Sequence, residues 1–166
     1  MKSARHLRLL LGLTLAAGAC LATPALAQSI SAQTTKIIEL ERAGKFSDAL
    51  TLAQKTLADA EKAHGAAHRD VAAALNNLGH VYASLGQEAE AEPLYKRSLA
   101  IFEKVGGLDS ADVAPTLNNL GALYQRQDRL ADAEPLFRRA LAISERSLGP
   151  GHPDTGRSLN NLATLY

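Results

Sequence analysis

The chain has 166 residues, 46% of them apolar and 21% charged, with a formal net charge of +1. This composition excludes a disordered chain, and the lack of a basic excess argues against a partner gripped by its phosphates. With four Tyr, three Phe and no Trp, the core must be built from Leu and Ala, both of which favour helix.

Taken in chain order, the first segment is a targeting signal. Lys2, Arg5 and Arg8 precede an apolar stretch from Leu9 to Ala22, and Ala25-Leu26-Ala27 supplies a small-x-small cleavage pattern. Residues 1–27 therefore read as a secretory signal peptide, with Gln28 opening the mature chain and a periplasmic or secreted location following from it. The stretch is too short and too rich in Ala and Gly for a membrane span. Lipidation of Cys20 and a retained N-terminal anchor are the competing readings, and only these bring the protein to a membrane. Cleavage leaves 15 Lys and Arg against 17 Asp and Glu, a net charge of −2, which speaks against nucleic acid as a partner. It also removes Cys20, the only cysteine, so the mature chain has no disulfide, thiolate nucleophile or Cys metal site.

Residues 28–166 are dominated by an internal repeat of 42 residues. Leu75-Asn76-Asn77-Leu78-Gly79 returns as Leu117-Asn118-Asn119-Leu120-Gly121 and as Leu159-Asn160-Asn161-Leu162-Ala163. Ala91-Glu92-Pro93-Leu94-Tyr95 returns as Ala133-Glu134-Pro135-Leu136-Phe137. The units are 29–69, which is degenerate, then 70–111, 112–153 and a partial 154–166.

Each unit predicts two helices. Val71, Leu75, Leu78, Tyr82 and Leu85 form one stripe of a 3.6-residue helix, with Asp70, Asp112 and Asp154 placed as N-caps. Gly86 marks a turn, and Ala91, Leu94, Tyr95, Ser98, Leu99 and Phe102 face inward from a second helix. Gly106-Gly107 and Gly149-Pro150-Gly151 end these second helices, which excludes a continuous coiled coil. Pro93 and Pro135 predict a local bend, whereas Pro115 in a first turn is tolerated. In the degenerate unit the helices fall at Ser31 to Ala43 and Phe46 to Ala63, with Thr34 and Thr35 where the Asn pair belongs. A terminal unit of a stacked array is expected to be atypical. The final partial helix has an apolar stripe, Leu159, Leu162 and Tyr166, without a partner helix. That predicts either a fragment of a longer array or self-association through this end.

The quoted motifs, with Leu148-Gly149-Pro150-Gly151-His152-Pro153-Asp154, resemble the tetratricopeptide repeat (TPR), in the 42-residue variety of kinesin light chains and many bacterial proteins. The resemblance covers roughly residues 29–166. It implies an all-α, right-handed α-solenoid of helix-turn-helix hairpins. It also implies a scaffold that binds a peptide or partner protein on a concave face lined by first helices. The alternative is the targeting or regulatory arm of a longer enzyme, with a protease- or hydrolase-like domain beyond residue 166.

The resemblance points the first Asn of each pair, Asn76, Asn118 and Asn160, into that groove. There an amide offers a peptide backbone both donor and acceptor, or instead bridges neighbouring helices. For Asn77, Asn119 and Asn161 bridging is the expected role. Further groove candidates are His80, Ser84, Ala122, Gln125, Arg126, Arg157 and Thr164, with Arg126 and Arg157 suited to an acidic peptide or to plain solvation. Lys96-Arg97 and Arg138-Arg139 read as solvated surface. His64 and His68 have the spacing of a helical metal pair, but Gly65 lies between them and no third ligand stands out, so no metal is expected. No phosphate loop, nucleophile elbow or paired carboxylates point to catalysis or a cofactor.

Overall fold

A computed structural model describes residues 24–166, with side chains from Ile30 onward. The proposed signal lies almost wholly outside the described residues. Among those described, seven α-helices follow in order: α1 Pro24–Arg42, α2 Phe46–His64, α3 Arg69–Ser84, α4 Glu88–Gly106, α5 Val113–Arg126, α6 Leu130–Leu148 and α7 Pro153–Ala163. The helices α1 begins with and α7 ends on lie at opposite ends of an all-α stack of hairpins, the architecture expected. No described helix is long and apolar enough to cross a membrane.

α1 starts seven residues before the expected Ser31, and its first residue is proline, whose missing N–H belongs to a position without an intrahelical acceptor. Helices α1, α3 and α5 all end in the same way. Gly86 N–H donates to Ala83 O at 3.1 Å and Gln87 N–H to Tyr82 O at 2.9 Å, the paired bonds that close a helix through a left-handed residue. Gly44 and Gly86 hold that residue's positive φ without strain, whereas α5 uses Asp128 at φ 58°.

The helix starts correct one expectation. Asp70 and Asp154 are not caps but the second residues of α3 and α7. The caps are His68 and His152, whose Nδ1 atoms accept from the Asp70 and Asp154 N–H groups at 3.2 Å. Asp112 does precede α5, but in helical conformation and without a side-chain cap bond. An imidazole is long enough to reach back over the first turn. The carboxylates, set among the free N–H groups, contribute through the helix dipole. Pro93 and Pro135 remain inside continuous helices α4 and α6.

Packing makes two rows. α1, α3, α5 and α7 lie side by side, each next to its successor, while α2, α4 and α6 make no close backbone approach to one another. The first helices therefore form a tight inner row, and the second helices spread around it. Val71, Leu75, Leu117, Leu123, Tyr95 and Phe137 are among the fully buried side chains, and burying each stabilises by about 1.5–3 kcal/mol. Leu85, expected at the end of the inward stripe, is 38% exposed because it already belongs to the turn. Two aromatic rings set the spacing within hairpins. A Cβ on Gly79 would stand 2.8 Å from the Tyr95 ring, and one on Gly121 would stand 2.6 Å from the Phe137 ring. Only glycine allows those helices so close.

Candidate protein-interaction groove

Along the inner row the Asn pairs form struts between successive hairpins. Asn119 Nδ2 donates to Asn76 Oδ1 at 3.0 Å, and Asn161 Nδ2 donates to Asn118 Oδ1 at 3.2 Å. Asn77 repeats the bond one hairpin earlier, donating at 2.8 Å to Thr34 Oγ1. The second Asn of each pair thus bridges helices, as expected. The first Asn is its acceptor, and this divides the three first-position candidates. Asn118 is 4% exposed, and its own amide donates to Ser158 Oγ at 2.8 Å, so it is spent inside the stack and presents nothing to a groove. Asn76 is half-buried, and its Nδ2 makes no hydrogen bond among the described residues. Asn160 is exposed, with a side chain free of such bonds.

A groove of about 650 Å³ crosses the inner row. α1 contributes Ile37, Ile38, Glu41 and Arg42, α3 contributes Asn76 and His80, and Arg157 reaches it from α7. A smaller cavity of about 360 Å³ adjoins it, and Asn76, Asn77 and Pro115 line both. His80 Nδ1 lies 3.0 Å from Glu41 Oε1, across the first two hairpins. Arg157 pairs with Asp154 on its own helix. Arg42 has no ion-pair partner among the described residues, which leaves a free cation at the groove edge.

Ser84 also lines the groove, whereas Ala122, Gln125, Arg126 and Thr164 lie elsewhere. Arg126 pairs with Glu88 at 3.0 Å, and Gln125 donates to the Thr164 carbonyl at 3.1 Å. Neither lines the groove. Ile38, Arg42 and Phe46 do line it, and sequence reasoning missed them because they sit in the degenerate hairpin, where no motif flags them.

Of the outer-row cations read as solvated surface, Lys96, Arg97 and Arg138 are exposed, but Arg97 and Arg139 also link helices. Arg97 reaches Glu61 and Arg139 reaches Glu103, each at 2.6 Å and each from one second helix to the preceding one. Glu92 accepts from Lys96 on its own helix at 2.6 Å and, across to the next hairpin, from the Tyr124 hydroxyl at 3.1 Å. The Lys96 bond chiefly holds its carboxyl below the usual carboxylate range. Arg129 stacks over the Tyr124 ring at 3.9 Å, adding a cation–π contact. Burial pushes the Tyr95 hydroxyl well above the ordinary tyrosine value.

Residues 37–104 and 112–166 match the tetratricopeptide repeat. No curated protein matches the chain. Among solved structures, BtubC (BKLC) from P. vanneervenii is 26% identical with a TM-score of 0.72, covering 85% of this chain and 56% of that one. A kinesin-light-chain-type array of nearly identical TPR-like repeats from Podosopora anserina is 23% identical with a TM-score of 0.75, covering 83% of this chain and 65% of that one. This chain thus spans less than two thirds of either relative. With both sets of repeats matched and the hairpin geometry shared, the chain belongs to the tetratricopeptide repeat family.

Proposed function

We propose that the protein is an interaction scaffold whose inner-row groove holds an extended segment of a partner protein. The carrying observation is the 650 Å³ groove itself, which combines an apolar wall with an uncommitted amide and a free cation. Ile37, Ile38 and Phe46 offer a seat for an apolar side chain. Asn76 Nδ2 is a donor for a backbone carbonyl, and Arg42 favours an acidic neighbour. The fitting partner is therefore a segment with an apolar anchor flanked by Asp or Glu.

Selection from a displayed peptide library, followed by calorimetry on the selected peptides, tests this reading. Asn76→Asp, which keeps the oxygen that accepts from Asn119 but removes the donor, and Arg42→Ala together are expected to weaken a selected peptide at least tenfold. Asn118→Ala is unsuitable as a probe because it breaks a strut. Unchanged affinity in the double variant sinks the groove assignment.

Residues 1–27 support export of the mature chain, through Lys2, Arg5 and Arg8, the apolar stretch and Ala25-Leu26-Ala27. N-terminal sequencing of the exported protein is expected to start at Gln28. A start at a lipidated Cys20, or an intact Met1, would replace that reading.

A further inference from the structure

The loop between the first two hairpins gathers three metal-ligating side chains. His64 closes α2, His68 caps α3, and Asp70 is the second residue of α3. The two imidazoles stack with ring centroids 4.1 Å apart and planes 14° apart. Asp70 Oδ2 lies 3.2 Å from His64 Nε2 and 3.6 Å from His68 Nδ1. One ligand atom from each residue falls within 4.8 Å of the other two.

A second, independent observation concerns His64. Its side chain is 4% exposed, yet among the described residues Nε2 makes no hydrogen bond. The Asp70 oxygen is near enough for one but poorly aligned. A buried ring nitrogen without a partner is an unusual cost, and it points to a missing ligand. The other loops supply a comparison within the same chain. His152 and Asp154 repeat the cap geometry of His68 and Asp70, with the same 3.2 Å bond, but Leu148 stands one repeat and two repeats on from where Gly106 and His64 stand. The His-x-Asp pair is therefore the repeat's helix cap, and the buried imidazole is what this loop adds.

We propose that His64, His68 and Asp70 bind a divalent late transition ion, Zn²⁺ first, which staples α2 to α3. Two imidazoles and a carboxylate are suitable ligands for that ion. Bonds of about 2.0–2.2 Å in a tetrahedron put the ligands roughly 3.4 Å apart, a spacing bracketed by the 3.2 and 3.6 Å separations. Stacked rings direct their lone pairs alongside each other, so one ring must turn to make them converge. His68, whose side chain is 39% exposed, has room to do so, releasing the Asp70 N–H as it turns. Water completes the fourth position. The role is structural: the ion fixes the angle between the first two hairpins, and with it the width of the groove between α1 and α3.

The test is calorimetric titration of the metal-free full chain with Zn²⁺, alongside thermal unfolding with and without the ion. One equivalent per chain and a raised Tm are expected, since an ion that binds only the folded chain stabilises it. Co²⁺ in place of Zn²⁺ should give the visible absorption of a tetrahedral site. His64→Leu, which installs the residue found at position 148, and His68→Ala should each weaken binding at least tenfold and remove the Tm rise. His152→Ala should leave both unchanged. If His64→Leu fails to fold, His68→Ala and Asp70→Asn decide the matter. Absence of saturable binding at micromolar Zn²⁺, or full binding by His68→Ala, overturns the proposal.

Discussion

The first hairpin and the two that follow solve one packing problem with different residues. In α3 and α5 the acceptor of each strut is an Asn, Asn76 or Asn118. In α1 the same place is held by Thr34, whose hydroxyl accepts from Asn77 and donates to its own Ile30 carbonyl at 2.9 Å. Asn is therefore not what the strut requires. It requires an acceptor oxygen at that height on the helix, and the degenerate hairpin keeps the oxygen while losing the amide. The turns show the same tolerance, since Asp128 adopts the backbone that Gly44 and Gly86 adopt, at greater strain.

The largest test of this comparison sets the middle of the stack against its end. Leu120→Ala, at a site 3% exposed, should cost about 2–5 kcal/mol in denaturant unfolding. Leu159→Ala, on a helix face 46% exposed, should cost under about 0.5 kcal/mol. Equal losses would mean that α7 is packed as fully as α5. Gly121→Ala should cost about 1–3 kcal/mol as the Phe137 ring is displaced, less about 1 kcal/mol regained in helix propensity. A net gain would show that the ring moves freely.

Thr34→Val should cost about 1 kcal/mol by leaving Asn77 without its acceptor, while Thr34→Asn should be close to neutral. Equal losses in the two would refute the idea that any acceptor suffices. Asp128→Gly should stabilise by up to about 1 kcal/mol, read as a higher Tm. The smallest effect is that of acid. Glu92 and Glu134 both have carboxyls held below the usual range, Glu92 chiefly by Lys96 and Glu134 chiefly by the Tyr166 hydroxyl. Their contribution is complete above the ordinary carboxylate pKa and is lost as pH falls through the depressed values. Glu92→Gln should flatten that part of the stability–pH curve.

Periodicity made the hairpins legible, because Leu75 and Leu78 and their repeats Leu117 and Leu120 bury the same face. The bridging role of Asn77, Asn119 and Asn161 was also open to reading. Four features were not. A sequence does not show whether a cap is made by Asp70 or by the imidazole two residues earlier, since both are polar and near the helix start. Nor does it show that Asn118 is covered on both sides while Asn76 is not, because burial depends on which hairpins flank each one. The groove wall at Ile38, Arg42 and Phe46 was hidden in the one hairpin whose residues depart from the repeat. Likewise Asp70 reads in the sequence as a helix cap, and only the fold brings its carboxylate beside His64 and His68.

The two rows of links between hairpins differ in kind. Inside are amide bonds at Asn76, Asn118 and Thr34, with the His80 to Glu41 contact beside them. Outside are the ion pairs Arg97 to Glu61, on the exposed face, and Arg139 to Glu103, half-buried. Added salt screens the outer ion pairs more than the amide bonds inside. The expected consequence is a curvature of the hairpin stack that shifts with ionic strength, read by small-angle X-ray scattering of the chain at low and at high salt.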